Sequence, residues 1–396
     1  MTVVNKFVIV LILYLVLSSC SSYKPINVRH VRNLEVGHNM QGFYYALPQS
    51  VVSLDFTIIK TEEKPGPFGK FAGKYLGLDN IIMENSTQYH IADVTISSYA
   101  EPDPAEFYFI EYNARDHRDN PFFISFSESG LITSVNTKHT NYEHYENMQN
   151  KLGYGFFGSE ATFNQFIGTN LQEKIDTIVE RVRMDTVTIE RQTLRRSWVE
   201  KSSEVRAKEV ADYILKIREK KFDIISGFAE ITYSKEALQY MHDKLDEQEN
   251  ALLELFTGLT SQSKINYRMS VLPQKDLVGQ KQVVFYFSES EGLSMERKTG
   301  TEPIEVEITR HNSTRQLGVF LPATSADRAS NNGDGFYYRI PEYGHVKVKQ
   351  RGNTIAQARM LINQFGVITK LPAEDLEMQF YPNTGSLRSV GKISEE

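Results

Sequence analysis

The chain has 396 residues, a formal net charge of -6, 40% apolar residues and 24% charged residues. That balance is ordinary for a folded protein and unlike a disordered tail. The modest acidity offers no electrostatic footprint for nucleic acid, and the length calls for two or three domains.

The N-terminus has its own logic. Lys6 precedes an apolar run, Phe7 to Leu17, and Ser18-Ser19 lead to Cys20, the one cysteine. A charged start, a short apolar core and a small-residue exit predict a cleaved secretory signal. A membrane-spanning helix would need roughly 20 apolar residues. Leu17-Ser18-Ser19-Cys20 also resembles the lipobox of bacterial lipoproteins, where cleavage leaves the cysteine first and its thiol takes a diacylglycerol. Residues 1–19 are therefore expected as signal peptide, and residues 20–38 as a lipidated N-terminus and tether. Ser21, in place of an Asp that would favour inner-membrane retention, points to the outer membrane. The absence of an acidic cluster after it points to the periplasmic face. With its only thiol acylated, the chain has no disulfide and no thiolate metal site. A tether of about 18 residues at ~3.5 Å each reaches up to ~60 Å.

From Gly42 the pattern is β. An aromatic segment, Gly42 to Pro48, is followed by alternating β-branched residues from Val51 to Lys60. After Pro65-Gly66-Pro67, the spacing from Phe68 to Leu78 predicts a short helix. Strands are expected again at 88–98, 107–112, 122–126 and 131–135, which makes 39–136 one β-rich domain. Residues 137–201 read as a linker and mixed segment, polar over 136–158, helical from Glu173 to Arg183, strand-like from Met184 to Arg191, and basic from Arg195 to Lys201.

A helical hairpin is predicted over 202–260. Ser202 and Ser234 are N-caps, each with an acid in the first turn, and Gly227 and Gly258 are stops. Apolar stripes (Val210, Ile214, Ile217, Phe222; Leu238, Met241, Leu245, Leu252, Leu255, Phe256) should pack the two helices antiparallel. Residues 261–396 return to β, with strands expected at 265–271, 282–288, 304–308, 335–341 and 346–349. The fold class is thus α+β: two β-rich, sandwich-like domains with an inserted antiparallel helical pair.

One heptapeptide recurs. Gly42-Phe43-Tyr44-Tyr45-Ala46-Leu47-Pro48 returns as Gly335-Phe336-Tyr337-Tyr338-Arg339-Ile340-Pro341. Hairpin-like units, each an aromatic strand, a Gly turn and a second strand, recur more loosely over 122–135, 285–295 and 380–390. Duplicated modules with one ancestral role and converging hairpin chemistry both produce such matches. Phe43, Tyr44, Tyr45, Phe336, Tyr337 and Tyr338 are the candidate binding residues.

Chemistry is harder to find. None of the nine His falls in a His-Glu-x-x-His pattern. Asp116-His117-Arg118-Asp119 and the pair His139 and His144 are the local clusters with metal-ligand types, and both lie in polar loop sequence. There is no nucleophile elbow and no P-loop, and no Gly-x-Gly-x-x-Gly set between a strand and a helix as a dinucleotide fingerprint requires. Carboxylate pairs such as Asp103 with Glu106 and Glu302 with Glu305 are uninformative among 50 acids. No catalytic residue, metal or cofactor is expected. The basic runs Arg195-Arg196-Ser197-Trp198 and Lys216 to Lys221 fit a solvated face or an acidic partner.

The chain also resembles a family of envelope lipoproteins that carry the domain of unknown function 4831. The resemblance rests on Gly42 to Pro48, Thr61-Glu62-Glu63, Gly66-Pro67, Lys74 to Leu78, Glu84-Asn85-Ser86, Pro102-Asp103-Pro104, Leu255 to Gly258 and Gly335 to Pro341. It implies a lipoprotein and a shared fold, and no activity. The expectation is a non-enzymatic outer-membrane lipoprotein that faces the periplasm. It would serve as a scaffold or accessory subunit for an envelope protein partner, a β-barrel or an assembly complex. The alternatives are a glycan- or lipid-binding envelope module and a hydrolase whose site is invisible in sequence.

The anchor is directly testable. Cys20→Ala is expected to abolish metabolic labelling by palmitate and to move the protein from the membrane pellet to the soluble fraction.

Overall fold

A computed structural model of the protein describes residues 27–31, 42–111, 123–137, 170–184, 187–226, 234–320, 335–371 and 376–392. The signal peptide, Cys20, the clusters at 116–119 and 139–144, and Gly227 lie outside the described residues.

Four sheets organise the chain. The first has the order β1-β3-β2-β8, from β1 (Asn27–His30), β2 (Gly42–Lys64), β3 (Ser86–Glu111) and β8 (Leu259–Val271). The second runs β10-β9-β11-β12-β13, from β9 (Lys281–Ser288), β10 (Gly292–Ser294), β11 (Glu302–Arg310), β12 (Phe336–Gln350) and β13 (Asn353–Leu371). The third runs β15-β14-β5-β4, from β4 (Ile124–Phe126), β5 (Ile132–Val135), β14 (Leu376–Phe380) and β15 (Leu387–Lys392). The fourth is a two-stranded ribbon, β6 (Leu171–Met184) with β7 (Val187–Glu200).

β2 is the longest line through these parts. Successive side chains on a strand alternate between faces, so Val52, Leu54, Phe56 and Ile58 share one side, and all four are buried. They meet Phe285 and Phe287 of β9, Ile304, Val306 and Ile308 of β11, Val346 and Val348 of β12, and Ile362 and Phe365 of β13 in one core. A single sheet with an apolar face must cover it with another layer. Here the cover comes from the far end of the chain.

Segments 39–136 and 261–396, expected as two sandwich-like domains, therefore share sheets and core. Each supplies a sheet to a common sandwich. β8 also runs antiparallel along β2 from Val52↔Val271 to Lys64↔Leu259. In the third sheet β5 pairs with β14 at Val135↔Met378. The coarse class stands: a β-rich α+β fold.

The helical hairpin is present. α1 (Ala72–Leu76) precedes it as the short helix after the prolines, and α2 (Ser203–Ser226) and α3 (Lys235–Thr257) form the pair. Ser202 Oγ accepts from Val205 N and Ser234 Oγ from Ala237 N, each at 3.3 Å, and α3 stops at Gly258 with φ 90°. At the base, Ala207, Val210, Ala211, Ile214, Leu255 and Phe256 pack with Phe68 and Ala72. Towards the tip, Lys221 bridges Asp246 and Glu249, and Phe222, expected in the stripe, is exposed.

Three local readings are corrected. Residues 27–30, expected within the tether, form edge strand β1 on β3 with Val28 in the core, because Val28 and His30 alternate towards the buried face. Glu173 to Arg183, expected as helix, is strand β6, paired residue for residue with β7. Its Ile175, Ile178, Val179 and Val182 imitate helical spacing, but β-branched residues favour a pleated ribbon. β13 was not foreseen, because Ala356, Gln357, Ala358 and Arg359 blur its alternation.

Candidate functional site

The six aromatic candidates separate into two groups. Tyr45, Phe336 and Tyr337 are buried, Phe43 and Tyr44 are exposed, and Tyr338 is half-buried. Tyr45 and Tyr337 stack on either side of Tyr108 from β3, at 5.4 and 4.6 Å between centroids, and Phe336 is tilted against Tyr45 at 5.9 Å. Tyr45 Oη accepts a hydrogen bond from Tyr337 N at 3.0 Å. Burial, reinforced by Tyr108, pushes the Tyr45 hydroxyl well above its ordinary pKa, so it stays protonated. The two heptapeptides thus share one core with Tyr108, surrounded by Ile132, Val135, Met378 and Phe380.

Each heptapeptide also ends at a matching irregularity. The β2–β3 ladder passes from Ala46↔Phe107 to Pro48↔Pro102, so residues 103–106 bulge opposite Leu47. The β12–β13 ladder passes from Ile340↔Val367 to Glu342↔Ile362, so residues 363–366 bulge opposite Pro341. Gly366 sits in the second bulge, where a Cβ would overlap the Ile340 carbonyl. The bulges reach across to the opposite hairpin. Arg339 donates to Asp103 Oδ2 at 2.8 Å and to the Pro48 carbonyl at 2.6 Å. Reciprocally, Ser50 N donates to Gln364 Oε1 at 2.9 Å, Gln364 Nε2 donates to Ser50 O at 2.7 Å, and Asn363 N donates to Ser50 Oγ at 3.0 Å. This reciprocity supports duplication over convergence.

A cleft opens beside the second heptapeptide. Its volume is about 580 Å³, and its walls include Tyr338, Ile340, Leu361, Tyr381, Ser386 and Leu387. The 381–386 turn forms one wall and is closed by Tyr381 N to Ser386 O at 2.9 Å and Gly385 N to Tyr381 O at 2.7 Å. Ala100 N donates to Asn383 O at 3.1 Å, and Asn363 Nδ2 to Thr384 O at 3.0 Å. Gly385 has φ 64°, and a Cβ there would lie 2.6 Å from Pro48 Cβ, so glycine lets the turn sit on the first heptapeptide. The sequence marked this stretch as a hairpin but gave no sign of a cleft.

Next to the second heptapeptide, fully buried Glu342 receives Ser313 N at 3.0 Å, Thr314 N at 2.7 Å, Thr314 Oγ1 at 2.8 Å, Tyr343 N at 2.8 Å, and Ser313 Oγ. Burial alone would raise its pKa. The hydrogen bonds from Ser313 and Thr314 outweigh that and hold the carboxyl at about 2.

The β6–β7 ribbon is a third feature. Glu173 faces Trp198, Ile175 faces Arg196, and Thr177 faces Leu194. Facing residues share a side, so Leu171, Ile175, Val179, Leu194 and Trp198 lie on one face, all exposed, with Trp198 at 71%. On the same face the pair Arg196–Glu173 is interleaved with them, Arg196 between Leu194 and Trp198, and the pair Arg181–Glu190 follows beyond Val179. Trp198 stood out in sequence within a basic run, but its exposure follows only from the ribbon.

Among the described residues, no three His, Cys, Asp or Glu side chains are grouped to hold a metal, and no helix is long and apolar enough to cross a membrane.

A family model described as "Domain of unknown function (DUF4831)" matches residues 41–388. No curated protein and no solved structure matches the chain.

Two outcomes follow. Arg339→Met leaves the Asp103 carboxylate buried without its cation and is expected to cost about 3–5 kcal/mol in urea unfolding. Adding Asp103→Leu should recover part of that loss. For Glu342, the folded pKa lies below the ordinary 4.5. Its contribution is therefore full above pH 4.5, shrinks as pH falls, and is gone near pH 2, at most about 3 kcal/mol. Urea midpoints measured across that window should converge for Glu342→Gln and the parent at the acid end.

Proposed function

Because the chain belongs to the family defined by domain of unknown function 4831, a membership that brings no activity with it, we propose that the protein is a non-enzymatic docking protein. In this reading it is held on the periplasmic face of the outer membrane by lipid on Cys20, and it grips an envelope protein partner with the β6–β7 ribbon. The observation that carries the reading is the row of five exposed apolar side chains on one face of that ribbon, with Trp198 the most exposed of them.

Three physical points support it. A two-stranded ribbon is marginally stable by itself in water, and this one exposes five large apolar side chains on one side. Exposed apolar patches of this kind are where proteins meet partners. Both edges of the ribbon lack a neighbouring strand among the described residues, which suits strand addition by a partner. Tryptophan is over-represented among the residues that dominate binding energy. The aromatic heptapeptides, by contrast, spend three of their six rings on the core, so the docking role moves from them to the ribbon.

The test is in-cell cross-linking followed by affinity purification from native membranes. A stoichiometric protein partner is expected with the parent. Trp198→Ser combined with Leu194→Ser should weaken its capture by about 30-fold or more, with no loss of thermal stability. Retention of the same partner by that double variant would remove the ribbon from the proposal, and a monomer with nothing cross-linked would remove the scaffold role.

A further inference from the structure

We propose that the cleft beside the second heptapeptide binds an uncharged amphiphile with a single hydrocarbon chain and a hydroxyl or ester head, such as a monoacylglycerol. This site is separate from the ribbon and does not depend on the docking reading.

The walls set the chemistry. Tyr338, Ile340, Leu361, Tyr381 and Leu387 present rings and aliphatic groups, and such surface favours an apolar occupant by about 25 cal/mol per Å² buried. The one ionised side chain on the lining is Arg339. Its guanidinium is 6% exposed and already engaged by Asp103 and the Pro48 carbonyl. The lining therefore offers no free cation to a carboxylate or phosphate head and no acid to an amine; the nearby Arg388 guanidinium lies over the Tyr381 ring, 5.8 Å from its centroid, on an exposed side chain off the lining. Burying an uncompensated charge there would be costly, so the ligand is neutral.

The polar side chains sit together on the turn: Asn383, Thr384 and Ser386. Ser386 Oγ is shut away from the cleft, so the exposed Asn383 side chain, with Thr384 beside it, is what the turn offers one small polar head. A sugar, with hydroxyls all round, would leave most of them facing hydrocarbon. A volume of about 580 Å³ falls within the range typical of small-ligand sites. The walls are also pre-formed. The turn is fixed to Ala100 and Asn363, and Arg339 is locked in place, so little ordering accompanies binding.

Equilibrium dialysis with radiolabelled 1-monolauroylglycerol tests this. The protein is the full-length chain with Cys20→Ala, which carries no acyl chain of its own. Saturable binding to one site is expected, with laurate at least about ten-fold weaker because its carboxylate finds no partner. Leu387→Asp should abolish binding. Tyr381→Ala, whose ring is 44% exposed and whose turn is held by backbone bonds, should keep the parental melting temperature and bind about ten-fold more weakly. Trp198→Ser should bind as the parent does. No saturable binding by the parent, laurate binding as tightly as the glyceride, or unchanged affinity in Tyr381→Ala would each overturn the proposal.

Discussion

A single guanidinium keeps the two halves of this chain in register. Hydrophobic burial drives the sandwich together but is non-directional; it says that Phe56 and Phe285 should meet, not at which step along the strands. Arg339 supplies the step. It extends from β12 to the Pro48 carbonyl on β2 and to Asp103 in the bulge of β3. Sliding β12 by one residue would strand a buried charge. The Ser50 clamp on Gln364 and Asn363 works in the opposite direction, from β2 into the bulge of β13. Two hairpins that each carry a bulge, and each insert it into the other, define a unique arrangement that apolar alternation alone would leave loose.

Much of this was legible residue by residue. Alternation from Val51 to Ile59 marked the strand, and Ser202, Ser234 and Gly258 marked helix ends that form as expected. These signals are local, so local reading suffices. The partner of each strand is a different matter. Nothing in Leu259 to Val271 says that it will pair with Val52 to Lys64, because pairing depends on contacts about two hundred residues apart. Expecting two separate sandwiches was the natural error of reading each β segment as its own closed unit.

The candidate site shows the same limit. The heptapeptide repeat was visible, yet its rings were expected at a surface. Aromatic strands are equally good at packing and at binding, and which one applies is decided by what lies opposite. Here each copy lies opposite the other. Trp198, a lone aromatic in a charged run, looked like part of a solvated face, and the ribbon turns that exposure into an apolar stripe. The cleft requires the turn at Tyr381 to stand over Leu361 and Tyr338, a juxtaposition that no spacing in sequence encodes.

The length of β2 has a mechanical consequence. The strand begins in the aromatic core, crosses the sandwich and ends beside the base of the helices, with β3 on one side and β8 on the other. A pull along its axis would load both ladders in shear, so that many backbone hydrogen bonds would have to break together rather than unzip singly. Forced unfolding is governed by the rate of crossing that barrier, not by the equilibrium stability. A body built around such a strut suits a protein that must hold its shape while something tugs on it.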